Sequence, residues 1–252
     1  MNTLNDIAVG DTGIELVSSL NGNNTILQTA IDTIELKTPN RGNRLLLIGD
    51  SITGKNTYPP TVAAIKELTI VSNMGIGGSR IIPNIKDLDG QRITQSIYYR
   101  ADLVAAQTPD IIFLLGGQND FNYGGDVVYD LSEDAYTGDE LNDGDENMPT
   151  FVEAYKGVLL KLVSQNIVAR VYAGCPMYSW NQPSTYLIQQ RYIAIRDAIK
   201  KMCEYYGVIF IDTLIGSQIN AYNSSSLFMP DGVHPNSAGG VRIGQYIASK
   251  II

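Results

Sequence analysis

Five short apolar runs punctuate the chain: Leu45–Ile48, Leu68–Ser72, Ile111–Leu115, Ile167–Ala173 and Val208–Ile211. Runs of this length, bounded by turn residues, predict buried strands. Between them, apolar residues recur at helical spacing. Thr61–Leu68 predicts a short helix. Ile93, Ile97, Ala101 and Val104 predict a second, and Phe151, Tyr155, Val158, Leu159 and Leu162 a third. Tyr192, Ile195, Ile199 and Met202 predict a fourth. A last helix turns Val241, Ile247 and Ile251 inward and follows Asn236 and Ser237, either of which can cap it. Strands alternating with helices predict a parallel sheet covered on both faces, with right-handed crossovers. Ligands of such sheets bind beyond the carboxyl ends of the strands. The chemistry is therefore expected in the segments that leave each strand.

Residues 1–40 break this pattern. They are polar, and Val17, Leu20, Leu27, Ile31 and Ile34 fit a 3,4 spacing only if Asn24 fills one seam position. The segment reads either as an N-terminal arm packed on the domain or as an oligomerising segment, with residues 14–37 joining a homo-oligomer. The expected organisation is thus 1–40 as arm and 41–252 as one domain.

Composition adds little to the fold but narrows the function. The chain has 252 residues, 44% hydrophobic and 17% charged. A domain of that size buries enough surface to need no disulfide or structural metal. Cys175 and Cys203 read as small buried hydrophobes. The net charge of −8 argues against a nucleic-acid partner. The acidity is local: Phe121–Thr150 holds nine Asp and Glu and no Lys or Arg, and the rest is close to neutral. That insertion lacks the spacing of a calcium loop and reads as a solvated wall beside the crevice. No apolar run approaches the roughly 18–20 residues of a membrane span, so no membrane partner is expected. The first residues lack the basic and apolar regions of a signal peptide, which leaves the compartment open.

Four segments leaving the strands, or preceding the last helix, carry reactive residue types. They are Gly49-Asp50-Ser51, Asn73-Met74-Gly75-Ile76-Gly77-Gly78, Gly117-Gln118-Asn119-Asp120 and Asp231-Gly232-Val233-His234-Pro235. His234 is the one histidine, and so the one side chain whose ordinary pKa suits a general base near neutrality. Asp231, three residues upstream, can reach the imidazole and select its tautomer. Ser51 stands where a strand turns into a helix; it is either a nucleophile awaiting a base or a simple helix cap. Gly78 lets a backbone N–H approach a reacting group, and Asn119 offers amide donors. With the Ser51 N–H these would form an oxyanion hole; alternatively the glycines only make tight turns.

Together these segments resemble the sequence blocks of the SGNH (GDSL-type) hydrolase family, in the family's order, across residues 44–252. The resemblance implies a flavodoxin-like three-layer α/β/α sandwich with a five-stranded parallel sheet in the order 2-1-3-4-5. It implies Ser51 as nucleophile and Asp231 with His234 completing a triad. It also implies Ser51, Gly78 and Asn119 as oxyanion donors, with Gly77 the alternative glycine. It implies hydrolysis of esters or thioesters through an acyl-enzyme, without metal or organic cofactor. Aromatics and amides after the fourth strand suit a sugar ring. Tyr178 and Trp180 are accordingly candidate substrate-binding residues, although they would also serve as packing, and Gln118 of the third segment is a further candidate. The expected substrate is a small acyl ester, foremost acetyl, on a glycan. The alternatives are a short-chain carboxylesterase or thioesterase, and a non-catalytic carbohydrate-binding tail module on the same fold. A weaker similarity links Val9-Gly10-Asp11-Thr12-Gly13, with Val17 and Leu20-Asn21, to the opening of some phage tail-associated proteins. The expectation is a phage tail-associated or gut-bacterial carbohydrate esterase.

Overall fold

The computed structural model describes residues 43–83, 96–123, 151–179, 186–220 and 222–252, with the backbone alone at 121–123, 186–189 and 225–226. The N-terminal segment, Trp180 and nearly all of the acidic insertion lie outside the described residues. Five strands form one parallel sheet: β1 (Arg44–Gly49), β2 (Thr69–Gly75), β3 (Ile111–Leu115), β4 (Arg170–Gly174) and β5 (Ile209–Ile211). Their order is β2-β1-β3-β4-β5, as the family resemblance implies. The helices are α1 (Ser51–Gly54), α2 (Pro59–Lys66), α3 (Ile97–Arg100), α4 (Gln118–Tyr123), α5 (Phe151–Gln165), α6 (Tyr186–Tyr206), α7 (Thr213–Gly216) and α8 (Ser237–Ala248).

Period-two alternation sorts each strand's side chains onto two cores. Leu45 and Leu47 join Ile111, Phe113 and Tyr172 on one face, where Val62 of α2 and Ile243 and Ile247 of α8 cover them. Leu46 and Ile48 join Ile112, Leu114 and Val171 on the other, beneath α3, α5 and α6. The three layers follow from this sorting. No described helix is long and apolar enough to cross a membrane.

Several expectations shift in detail. Ile167 and Val168 are 85% and 88% exposed, in a turn before β4 rather than in the strand. The stretch through Ile97, Ala101 and Val104 is buried as expected, but it is α3 followed by two 3₁₀ turns, not one helix; Ile93 lies outside the described residues. In α8, Gly240, Ile243, Gly244 and Ile247 face inward. Val241 falls off that stripe and is exposed. Asn236 is the cap of α8, its carboxamide oxygen accepting the Gly239 N–H at 2.9 Å. Both cysteines are free and buried.

The register matters most for function. Gly75, Gly49 and Leu115 lie side by side, and Leu115 pairs with Gly174, which pairs with Ile211. All five strands therefore end on one row, and the connecting segments leave from a common edge. β2 and α1 meet backbone to backbone there: a Cβ on Gly75 would lie 2.2 Å from the Gly54 nitrogen, so only glycine fits.

Candidate active site

Ser51 opens α1, but it is not the cap. Asp50 is, and its carboxylate accepts the Ile52 N–H at 2.9 Å. The cap engages the second N–H of the helix and leaves that of Ser51, the residue beside the hydroxyl, out of the capping bond. Asp50 is itself buried, and its Oδ2 has no hydrogen-bond partner among the described residues. Burial is the main cause that pushes its pKa up to about 7; Asp120 adds to the rise, while the Ile52 N–H and Arg100 oppose it.

The turn before α8 supplies the partner of Ser51. Asp231 Oδ1 accepts the backbone N–H groups of Val233 at 3.0 Å and His234 at 2.7 Å, an Asx-type turn built by the three-residue spacing. Gly232 takes φ +87° within it. The Gly232 carbonyl accepts the Ser179 hydroxyl at 2.6 Å, which ties the turn to the segment after β4. The turn aims the His234 ring between two partners. Nδ1 lies 2.7 Å from Asp231 Oδ2, and Nε2 lies 2.8 Å from Ser51 Oγ. Partial burial pushes the Asp231 carboxyl up, but the hydrogen bonds from His234 and Val233 outweigh it and hold the group well below the usual carboxylate range. Lys55 Nζ stands 3.6 Å from the same Oδ2.

The second and third segments are joined by side chains of the third. Asn119 Nδ2 donates to the Ser79 carbonyl at 2.8 Å, next to Gly78. Asp120, fully buried, accepts the N–H groups of Ile81 at 2.8 Å and Ile82 at 3.1 Å. Burial pushes its pKa up to about 6 against those hydrogen bonds. Gly78 has φ +72°, and a Cβ there would meet nothing within 4 Å, so its outer side is open. Gly77 is not left-handed, and a Cβ there would lie 4.0 Å from Ser51 Cβ.

Of the candidate substrate-binding residues, Tyr178 is half-buried and its ring centroid is 6.2 Å from that of Tyr192. Gln118 is buried and donates to the Tyr192 hydroxyl at 3.0 Å. Sequence reading did not single out Asp50 as the cap, the anchoring role of Asp120, or Ser179. The first two stand inside the motifs and could have been weighed. Ser179 carries no signal, because its partner is a backbone carbonyl 53 residues away.

The GDSL-like lipase/acylhydrolase family pattern matches residues 47–240. No curated protein matches the chain. Among solved structures, a catalytic mutant of Axe2, an acetylxylan esterase from Geobacillus stearothermophilus, is similar at 18% identity and TM-score 0.56, covering 85% of this chain and 96% of that one. A possible lipase from Chitinophaga pinensis is similar at 16% identity and TM-score 0.58, covering 82% and 96%. A protein from Lactobacillus plantarum is similar at 24% identity and TM-score 0.59, covering 83% and 96%.

Proposed function

Since the chain belongs to the GDSL-like lipase/acylhydrolase (SGNH) family and is a carboxylic ester hydrolase, we propose that it cleaves small acyl esters, foremost acetyl esters of a glycan, through Ser51, His234 and Asp231. The observation that carries the reading is the unbroken chain Ser51 Oγ–His234 Nε2–His234 Nδ1–Asp231 Oδ2, at 2.8 Å and 2.7 Å. A serine hydroxyl is a weak nucleophile until a base in hydrogen-bond reach takes its proton.

In the acylation step Ser51 Oγ attacks the ester carbonyl carbon while its proton passes to Nε2. The carbonyl oxygen becomes an oxyanion, received by the N–H groups of Ser51 and Gly78 and by the Asn119 amide. Collapse breaks the bond to the leaving oxygen, and Nε2 returns the proton to that alcohol. Water then attacks the acyl-enzyme by the same route and releases the acid and free Ser51. Asp231 stays ionised and holds Nδ1 protonated. Oxyanion donors of this kind are each worth roughly 10²–10³ in turnover.

Acetyl and glycan are favoured because a structural neighbour over most of the chain is an acetylxylan esterase, and because the Tyr178–Tyr192 ring pair and Gln118 follow β4 and β3. The test compares 4-nitrophenyl acetate, butyrate and octanoate, and a panel of acetylated glycans, with Ser51→Ala and His234→Ala as controls. Acetate release from a glycan, abolished in both variants, is the expected result. Preference for octanoate would reject the acetyl reading. Hydrolysis surviving in Ser51→Ala would reject the mechanism, whereas no hydrolysis together with no Ser51 labelling by a fluorophosphonate would favour the binding module.

A further inference from the structure

We propose that Arg100 is a positioning residue for the oxyanion site: its guanidinium holds the turns that carry Ser51 and Gly78 at a set separation. The inference rests on the ester-hydrolase reading above. Where parallel strands reach the crevice their ladder stops, and buried carbonyl groups there need another donor. The Gly49 and Met74 carbonyls stand at this limit on neighbouring strands, where Ile48 pairs with Met74 and Gly49 with Gly75. Arg100 reaches both, donating from Nη1 to the Met74 carbonyl and from Nη2 to the Gly49 carbonyl at 2.9 Å. Gly49 lies just before the Asp50-Ser51 turn, and Met74 opens the stretch that ends at Gly78.

A guanidinium is planar, and the spacing of its donors is fixed, so it sets the spacing of the two carbonyls it serves. The Gly49 carbonyl also accepts the Ile76 N–H at 3.2 Å, which binds the second turn to the first. Arg100 is held in turn by its own element. The first N–H of α3, on Ile97, donates to the Arg80 carbonyl at 2.8 Å, just beyond Gly78. The residue is 6% exposed. Burial draws its pKa down to about 10, with Asp50 opposing, so the group remains charged at neutral pH. The same Asp50 caps the nucleophile helix. Arg100 thus links the nucleophile turn and the glycine turn through their carbonyls, and its charge is felt by the Asp50 cap.

The test uses the full chain with Arg100→Lys, which keeps a charge and loses the fork, and Arg100→Gln, which keeps donors and loses the charge. Hydrolysis of 4-nitrophenyl acetate is measured well below each variant's Tm, with affinity for phenylboronic acid, whose Ser51 adduct sets an oxygen in the oxyanion site. Displacing a reacting geometry by about 1 Å costs on the order of 10²-fold. The expected result is a loss of that order in kcat, with KM within about threefold and boronate affinity falling in parallel. A merely structural role would lower Tm and leave these untouched. Wild-type kcat and boronate affinity in Arg100→Lys would overturn the inference. So would a change confined to KM, or failure of both variants to fold, which would assign Arg100 to the folding core. A wild-type protein with no Ser51-dependent hydrolysis would instead overturn the functional reading, and this inference with it.

Discussion

Asp231 grips His234 twice: Oδ2 lies 2.7 Å from the ring Nδ1, and Oδ1 accepts the His234 backbone N–H at 2.7 Å. One carboxylate thus sets both the turn and the ring, and those bonds keep it ionised far into acid. In Asp231→Asn the shape survives, but the amide NH₂ can donate to Nδ1 and favour the tautomer whose Nε2 already carries a proton. That tautomer cannot accept the Ser51 proton. We expect kcat to fall by roughly 10⁴ with little change in KM. The stability effect has a definite sign. A carboxyl held below its unfolded pKa stabilises the fold above that value and loses the contribution as pH falls. The Tm gap between wild type and Asp231→Asn should be open at pH 7 and narrow below about pH 4. A gap constant across that range would contradict the environment described for Asp231.

Gly77 and Gly78 make different predictions. Gly78 adopts φ +72° with open space where a Cβ would stand. Gly78→Ala therefore meets no clash, but the left-handed backbone costs about 1–2 kcal/mol, and relaxing it moves the N–H. Gly77→Ala keeps an ordinary φ and meets only Ser51 Cβ at van der Waals distance. We expect Gly78→Ala to lower kcat by roughly 10²-fold and Gly77→Ala to change it little. Kinetics of the two variants with 4-nitrophenyl acetate decide between the glycines, and the reverse ranking would transfer the donor role to Gly77.

Asn119 has two amide hydrogens, and the bond to the Ser79 carbonyl uses one. That bond fixes the direction of the group, and in the proposed mechanism the other hydrogen serves the oxyanion. Asn119→Ala loses donor and anchor together, roughly 10²–10³ in kcat. Asn119→Asp keeps the size but presents only acceptors to the Ser79 carbonyl and to a developing negative charge. It should be at least as slow as the alanine variant. Faster turnover in Asn119→Asp would mean that the side chain acts by filling space.

The strands were legible because both faces of this sheet are buried, so apolar runs and strands nearly coincide; Ile111–Leu115 agrees at both ends. The run at Ile167 misled because hydrophobicity alone does not separate a strand from the exposed turn that enters it. Ser51, His234 and Asp231, which the fold joins in one hydrogen-bonded row, stood out because each pairs a reactive side chain with a strand end or a turn; Asn119 stood out on the same ground, as a candidate. Arg100 was not, because its partners are the carbonyls of Gly49 and Met74, and every residue has a carbonyl. Asp50 was half legible: its place in the motif was plain, but its burial, and an Oδ2 without a partner among the described residues, depend on residues such as Asp120 that only folding brings near.

The burial of that carboxyl, whose Oδ2 has no hydrogen-bond partner among the described residues, gives Asp50 a testable pH signature. Its pKa is pushed up to about 7, chiefly by burial, against an unfolded value near 3.8. Between those values the unfolded chain is ionised while the folded protein keeps the proton. The folded state then binds more protons, so this group's contribution to stability falls as pH rises through the window and levels off above it. Asparagine caps helices as well as aspartate does and carries no charge to bury. Asp50→Asn should therefore melt close to wild type near pH 4 and above it at pH 8, by several degrees, since about 1 kcal/mol moves Tm by roughly 2–4 °C in a chain of this size. Differential scanning calorimetry of both proteins across that range measures the divergence. Parallel Tm curves would mean that Asp50 titrates normally and that its Oδ2 meets solvent or a partner.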